Sequence, residues 1–205
     1  MNNETYIQAF SHIKQKKVLL NGKIIFQDNS LTFPDFMKEA YRSLDIKYAK
    51  FFKMDLLSKL AFMAADIILK SEIENSEKEQ DIAIVFCNRA SSLDTDRKHQ
   101  KSIDHTDNYF PSPAVFVYTL PNICIGEISI KHKLFSENSF FIFDHFEADH
   151  LLDYTNSLLG TNKADRVLCG WVDYEDENYE AFLYLVGNKG PISHNKEEIA
   201  RLYTL

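Results

Sequence analysis

Apolar positions along this chain switch between short continuous runs and a helical period, and the switch points outline its elements. TYIQAFSHI (5–13) reads as a strand, and KVLLNGKIIF (17–26) as a hairpin whose apolar arms flank Asn21-Gly22, a pair favoured in type I′ turns. Residues 35–54 are polar and aromatic, predicting a loop with a short helix at its start. From Asp55 the period becomes helical: Leu56, Leu60, Met63 and Ile67, with Leu57, Ala64 and Ile68, form one stripe. Asp55 suits its cap or first turn.

SEIENSEKEQ (71–80) is a charged connection, and DIAIVFC (81–87) is apolar throughout, as a parallel strand covered on both faces requires. Residues 88–110 are polar and predict a surface wrap, partly helical; 111–134 predict a buried helix entered through a Pro-rich turn and disturbed at Pro121. SFFIF (139–143) predicts a buried strand and ADHLLDYTNSLL (148–159) an amphipathic helix. RVLCGWVDY (166–174) and YEAFLYLV (179–186) predict an antiparallel hairpin across EDEN, and NKEEIARLYTL (195–205) a helix capped by Asn195. Together they predict one α/β domain over 1–205: a five-stranded mixed, mostly parallel sheet flanked by helices, with a small N-terminal hairpin.

Composition narrows the function classes. Sixteen Phe and ten Tyr among 205 residues exclude a disordered chain. No apolar run approaches the ~18 residues that span a bilayer, and MNNETYIQAF lacks a signal-peptide pattern, so a cytoplasmic protein with no membrane partner is expected. A net charge of −7 argues against nucleic acid as a partner. With only six glycines there is neither a GxGxxG nor a Walker motif, and no cofactor is expected. Cys87, Cys124 and Cys169 sit among apolar residues without a CxxC, and are expected to be buried structural thiols.

Four segments, in order, resemble one family. PSPAVFVYTLPNICIGEISIKHKL resembles the β-ketoacyl synthase stretch S-P-x-x-F-x-x-T-L-P-N with its following small-residue helix. DLLSKLAFMAADIIL, DIAIVFCNRASSLDTD and KADRVLCGWVD are similar to that family's first helix, second strand and the strand after the third helix. The resemblance covers 5–187 with gaps and implies the N-terminal half of a thiolase-like fold. It also implies where chemistry would sit. The family's nucleophile is a cysteine between the third strand and its helix, where the helix N-terminus favours thiolate. Here His145 stands at that position, and the family's second-half H-G-T-G motif and its N-S/H-F-G-F-G counterpart are absent.

The resemblance further implies that Phe116, Tyr118, Asn122 and Phe143 line an acyl tunnel, with Asn122 near a dimer interface. The residues read by themselves leave other roles open. Asp144, His145, Glu147, Asp149 and His150 have metal-ligand chemistry at a strand-to-helix turn, although Glu147 and Asp149 equally suit a helix N-terminus. No metal is assigned on that ground. The expected function is a non-catalytic ketoacyl-synthase-like accessory of fatty-acid or polyketide assembly, a polyene pigment pathway included. It would form a homodimer, or a heterodimer with a ketoacyl synthase, through SFFIF, and an acyl carrier protein is a further expected partner. The alternatives are a small thioesterase, hydrolase or metal-dependent enzyme built on His145 and its carboxylates, and an acyl-chain binding module.

Overall fold

One sheet runs through the whole chain. The structure is a computed structural model that describes residues 4–29, 32–74, 78–104 and 111–205. β1 (Tyr6–Lys14), β2 (Lys17–Leu20) and β3 (Lys23–Gln27) form an antiparallel meander. Asn21 and Gly22 take φ of 50° and 77°, the pair of left-handed residues a type I′ turn needs. β4 (Ile82–Asn88), β5 (Asn138–Ile142), β6 (Arg166–Glu175), β7 (Asn178–Gly187) and a two-residue β8 (Ile192–Ser193) complete the order β3-β2-β1-β7-β6-β4-β5, with β8 on β1.

The sheet is therefore eight-stranded rather than five-stranded. Five of its seven pairings are antiparallel, with only β4–β5 and β4–β6 parallel. The expected parallel majority fails because β1 pairs with β7, a long-range antiparallel contact that makes the hairpin part of the main sheet. Nothing local in either strand specifies that pairing.

Helices cover both faces. On one lie α1 (Phe33–Ser43), α2 (Leu56–Glu72) and α5 (Ile123–His132), packed on Ile84, Phe86, Leu168, Leu183 and Leu185. α1 is longer than expected: Thr32 accepts from Asp35 N, Pro34 pre-forms the first turn, and Phe33, Phe36, Met37 and Ala40 make a buried stripe. Asp55 caps α2 by accepting from Ser58 N (2.9 Å), and its other oxygen takes the Thr95 hydroxyl (2.7 Å). The expected single helix over 111–134 is two, α4 (Pro113–Val117) and α5, divided at Pro121; α3 (Leu93–Lys101) lies beside α4. The connection at 75–77 and part of the polar wrap, 105–110, lie outside the described residues.

α6 (Ala148–Gly160) and α7 (Lys196–Tyr203) cover the opposite face, over Val85, Cys169, Trp171, Phe182, Tyr184 and Val186. Asn195 caps α7 from Glu198 N (2.9 Å). All three cysteines are buried, as expected. One glycine is structurally obligatory: Gly170 in β6 has φ of 147°, and a Cβ there would lie 2.0 Å from the Phe182 carbonyl oxygen.

β5 departs from expectation. SFFIF is less buried than expected, half-buried at Ser139–Phe141 and exposed at Ile142, and it lies at the sheet's edge, where a strand expected to pair with a partner can do so.

Candidate functional site

β4 and β5 end in register at Asn88 and Ile142, while β6 runs on past its last β4 partner, Trp171, to Glu175; the turn from β5 into α6 follows at this C-terminal side of the parallel strands, where open α/β sheets place their chemistry. Phe143 N donates to Asn88 O (2.9 Å), tying the turn to the end of β4. Asn88 in turn holds its own loop, accepting from Ser91 N (3.0 Å) and donating to Ser91 O (2.9 Å). Asp173 of β6 accepts from Arg89 N (3.1 Å) and Ala90 N (2.9 Å), fixing that loop against the β6–β7 hairpin. Arg89 and Arg97 both reach Glu175 (2.8 and 2.9 Å), and this pairing holds the Glu175 carboxyl below its ordinary range.

Within the turn, His145 points into solvent. Its side chain is 76% exposed and pairs with Glu147 (2.7 Å). The inward residue is its neighbour, Phe146, whose ring stacks on Tyr203 (4.1 Å between centroids, 19°) and meets Phe182 (5.7 Å) and Trp171 (6.5 Å) edge-on. An aromatic plug thus lies between the turn and the sheet. Below it runs a polar line: Tyr203 donates to Glu180 Oε2 (2.7 Å), and His12 Nε2 lies 2.9 Å from Glu180 Oε1. Burial opposes the Glu180 charge, but His12 and Tyr203 outweigh it and leave the carboxyl below its usual value.

The other cluster residues disperse. Glu147 takes the cap position of α6 without a side-chain capping bond, and Asp149 pairs with Lys196 (2.6 Å). His150 is held between Phe141 (4.5 Å) and Phe143 (4.9 Å). Asp144 is exposed. Among the described residues, no three His, Cys, Asp or Glu side chains converge as a metal site would require. Burial pushes all three thiols up, opposite to what a nucleophile needs.

Nor do the expected tunnel residues meet. Phe116 is exposed and packs on His99 (5.4 Å) beside an open pocket of 320 Å³ lined also by Pro111, Ser112 and Pro113. Tyr118 packs on the α2–α5 side, where its hydroxyl and that of Tyr48 both donate to Glu127 (3.1 and 3.0 Å). Burial raises both phenols, Tyr48 to about 12. Asn122 is exposed at the start of α5, and Phe143 belongs to the opposite face of the sheet.

Residue-type reasoning missed Phe146, because it selects the chemically reactive member of a pair. The signal was its place one step from His145, which a strand-to-helix turn can rotate inward. It also missed the buried pair His132–Asp66 (3.1 Å), which joins α5 to α2 and is extended by Lys70 (3.2 Å).

No family model and no curated protein matches the chain. Solved structures do. One described as the ishigamide ketosynthase/chain length factor superposes with a TM-score of 0.62 at 14% identity, over 90% of this chain and 62% of that one. A chain of a ketosynthase in complex with its chain length factor, from Xenorhabdus doucetiae, gives 0.62 at 13% identity, over 98% of this chain and 90% of that one. A type II polyketide synthase ketosynthase structure with its acyl-carrier protein gives 0.64 at 12%, over 97% and 65%. The chain thus spans just over six-tenths of the first and third of these, and nearly all of the second. It has the fold of the N-terminal half of ketosynthases, a thiolase-like half-fold whose sheet is mostly antiparallel.

Proposed function

We propose that this chain is a non-catalytic, ketosynthase-like subunit that associates with a ketosynthase through the β5 edge, in fatty-acid or polyketide assembly. The observation that carries the reading is the turn after β5. Where the related nucleophile would stand, His145 faces solvent and Phe146 fills the space behind it. A general base there would need a substrate-facing, desolvated position, so the exposure of His145 weighs against the hydrolytic alternative. No observation favours the acyl-binding module over pairing.

The edge itself supports association. Among the described residues, six of the ten exposed large apolar side chains fall between α4 and the end of β5: Phe116, Val117, Leu120, Ile130, Phe135 and Ile142. Unpaired strand edges with apolar flanks are the surfaces that proteins ordinarily cover. By contrast, the outward residues of α6 and α7 are polar, including Asp149, Asp153, Asn156, Lys196, Glu197 and Arg201. The apolar surface expected of a half-fold therefore lies along 113–142 rather than over those helices. One structural neighbour is described as a ketosynthase with its chain length factor, and the chain matched there is of nearly this length. That supports a heterodimer over a second copy.

The experiment is co-expression with ketosynthases from the same genome, followed by size-exclusion chromatography with light scattering. A stable complex that Phe135→Asp/Ile142→Asp disrupts supports the reading. A chain that stays monomeric beside a free ketosynthase overturns it. Hydrolysis of acyl thioesters lost in His145→Ala would establish the hydrolytic alternative instead.

A further inference from the structure

Of all the asparagines in this chain, Asn21 alone is followed by glycine. Glycine carries no Cβ to shield its backbone nitrogen, so an Asn-Gly amide reaches the asparagine side chain with least hindrance. The fold sets this pair at the tip of the β2–β3 hairpin, on the sheet edge opposite β5, and residues 21–25 are all exposed. A Cβ at Gly22 would touch only the Phe10 ring, at 3.8 Å. The Asn21 carboxamide is gripped from one side. Phe10 N donates to its Oδ1 (2.9 Å), and Asn21 N donates to Phe10 O (2.8 Å). The Oδ1 bond withdraws electrons from Cγ and favours negative charge developing on that oxygen.

We propose that Asn21 is a site of spontaneous deamidation, gated by opening of the β2–β3 turn. The Gly22 nitrogen gives its proton to solvent base and attacks Asn21 Cγ. The new N–Cγ bond closes a five-membered succinimide, the Cγ–Nδ2 bond breaks, and ammonia leaves with a proton from solvent. Water then adds to either ring carbonyl, and the ring opens to aspartate or isoaspartate. Only water is consumed, and nothing is oxidised or reduced.

The closed turn holds this reaction back. Asn21 and Gly22 are both left-handed, with φ of 50° and 77°, and a type I′ turn in that conformation keeps the Gly22 nitrogen away from Cγ. Ring closure requires the Asn21 backbone to rotate toward the extended region. An exposed turn between two short strands at a sheet edge opens far more often than a core element does. The Asn-Ser pairs of regular elements are fixed more firmly: Asn156 lies within α6 and accepts from Thr5, and Asn138 is paired with Ile84 in the β4–β5 ladder. The two products also differ. Asp-Gly suits the same type I′ turn, so aspartate leaves the hairpin closed. Isoaspartate adds one methylene to the main chain, for which a two-residue turn has no place, and it releases the grip on Phe10, a residue only 6% exposed.

The test incubates the full chain at pH 8 and 37 °C and follows each asparagine by peptide mass spectrometry, with isoaspartate resolved from aspartate by fragmentation. Asn21 should convert at least about tenfold faster than any other asparagine. Unfolding the chain in guanidinium should speed it several-fold, because the gate is then removed. Val18→Ala, which loosens β2 from beneath, should do the same in native buffer and leave the other asparagines unchanged. If that variant fails to fold, urea below the melting transition serves the same purpose. Hydrogen exchange should show β3 protection lost in the isoaspartate form and kept in Asn21→Asp. An intact Asn21 while other asparagines convert overturns the proposal, and so do equal rates in the folded and unfolded chain. A rate indifferent to loosening of β2 also overturns it. β5 is untouched by this chemistry, so ketosynthase pairing should persist in the deamidated chain.

Discussion

The two edges of this sheet are made of opposite materials. β5 (NSFFI) has no charged residue and lies in a segment rich in exposed apolar side chains, whereas β3 (KIIFQ) closes a lysine-only ribbon. Buried between them are the central strands β4, β6 and β7, whose side chains belong to the two cores rather than to any edge. An uncharged apolar edge suits a permanent partner, because its burial is insensitive to salt. A lysine-bearing edge stays in water, where it deters pairing and its turn is free to open.

The largest expected effect comes from breaking the frame that holds the edges apart. Gly170→Ala places a Cβ 2.0 Å from the Phe182 carbonyl at a φ of 147°, so it should cost more than about 3 kcal/mol or yield insoluble protein. Chemical denaturation against the native chain reads this directly, and both edges should be lost together.

Acid should act next. His194 is 7% exposed, and burial lowers its pKa from 6.5 to about 4. The folded imidazole stays neutral while the unfolded one takes a proton, so stability is full above pH 6.5 and falls as the pH drops toward 4. The loss should be about 3 kcal/mol from this group. His194 sits between β8 and α7. Thermal melts from pH 7 to 4 should show the slope, and His194→Gln should flatten it.

Phe146→Ala removes the plug and should cost about 2 kcal/mol, because its ring is half-buried against Tyr203 and Phe182. It should leave hydrolysis of a chromogenic thioester at background, and a gain of activity would mark the site as masked rather than lost. The smallest effect on stability belongs to Phe135→Asp/Ile142→Asp, whose side chains are exposed in the isolated chain. The melting free energy should move by no more than about 0.5 kcal/mol. Ketosynthase affinity should nonetheless fall by at least about thirtyfold, a loss near 2 kcal/mol. That contrast separates an interface from a core.

What the chain discloses before folding follows a physical line. Signals within a few residues were legible: Asn21-Gly22 at the hairpin turn, Asp55 and Asn195 as caps, and the buried run of β4. Signals that depend on distant pairing were not. The β1–β7 ladder joins residues some 170 positions apart, and it alone turns a mostly parallel sheet into a mostly antiparallel one. SFFIF has the composition of a covered strand, and only its terminal place in the strand order of the described residues makes it an edge. At the turn between β5 and α6, which side chain faces inward was not legible, since one residue's rotation exchanges His145 for Phe146.

The central claim is that the β5 edge pairs with a ketosynthase while the turn behind it does no chemistry. Native mass spectrometry of the co-expressed pair tests it most directly. The account predicts a complex holding both chains in equal number, which dissociates on Phe135→Asp/Ile142→Asp and survives His145→Ala. A chain that appears alone in the native spectrum, with the ketosynthase assembled without it, would contradict the account.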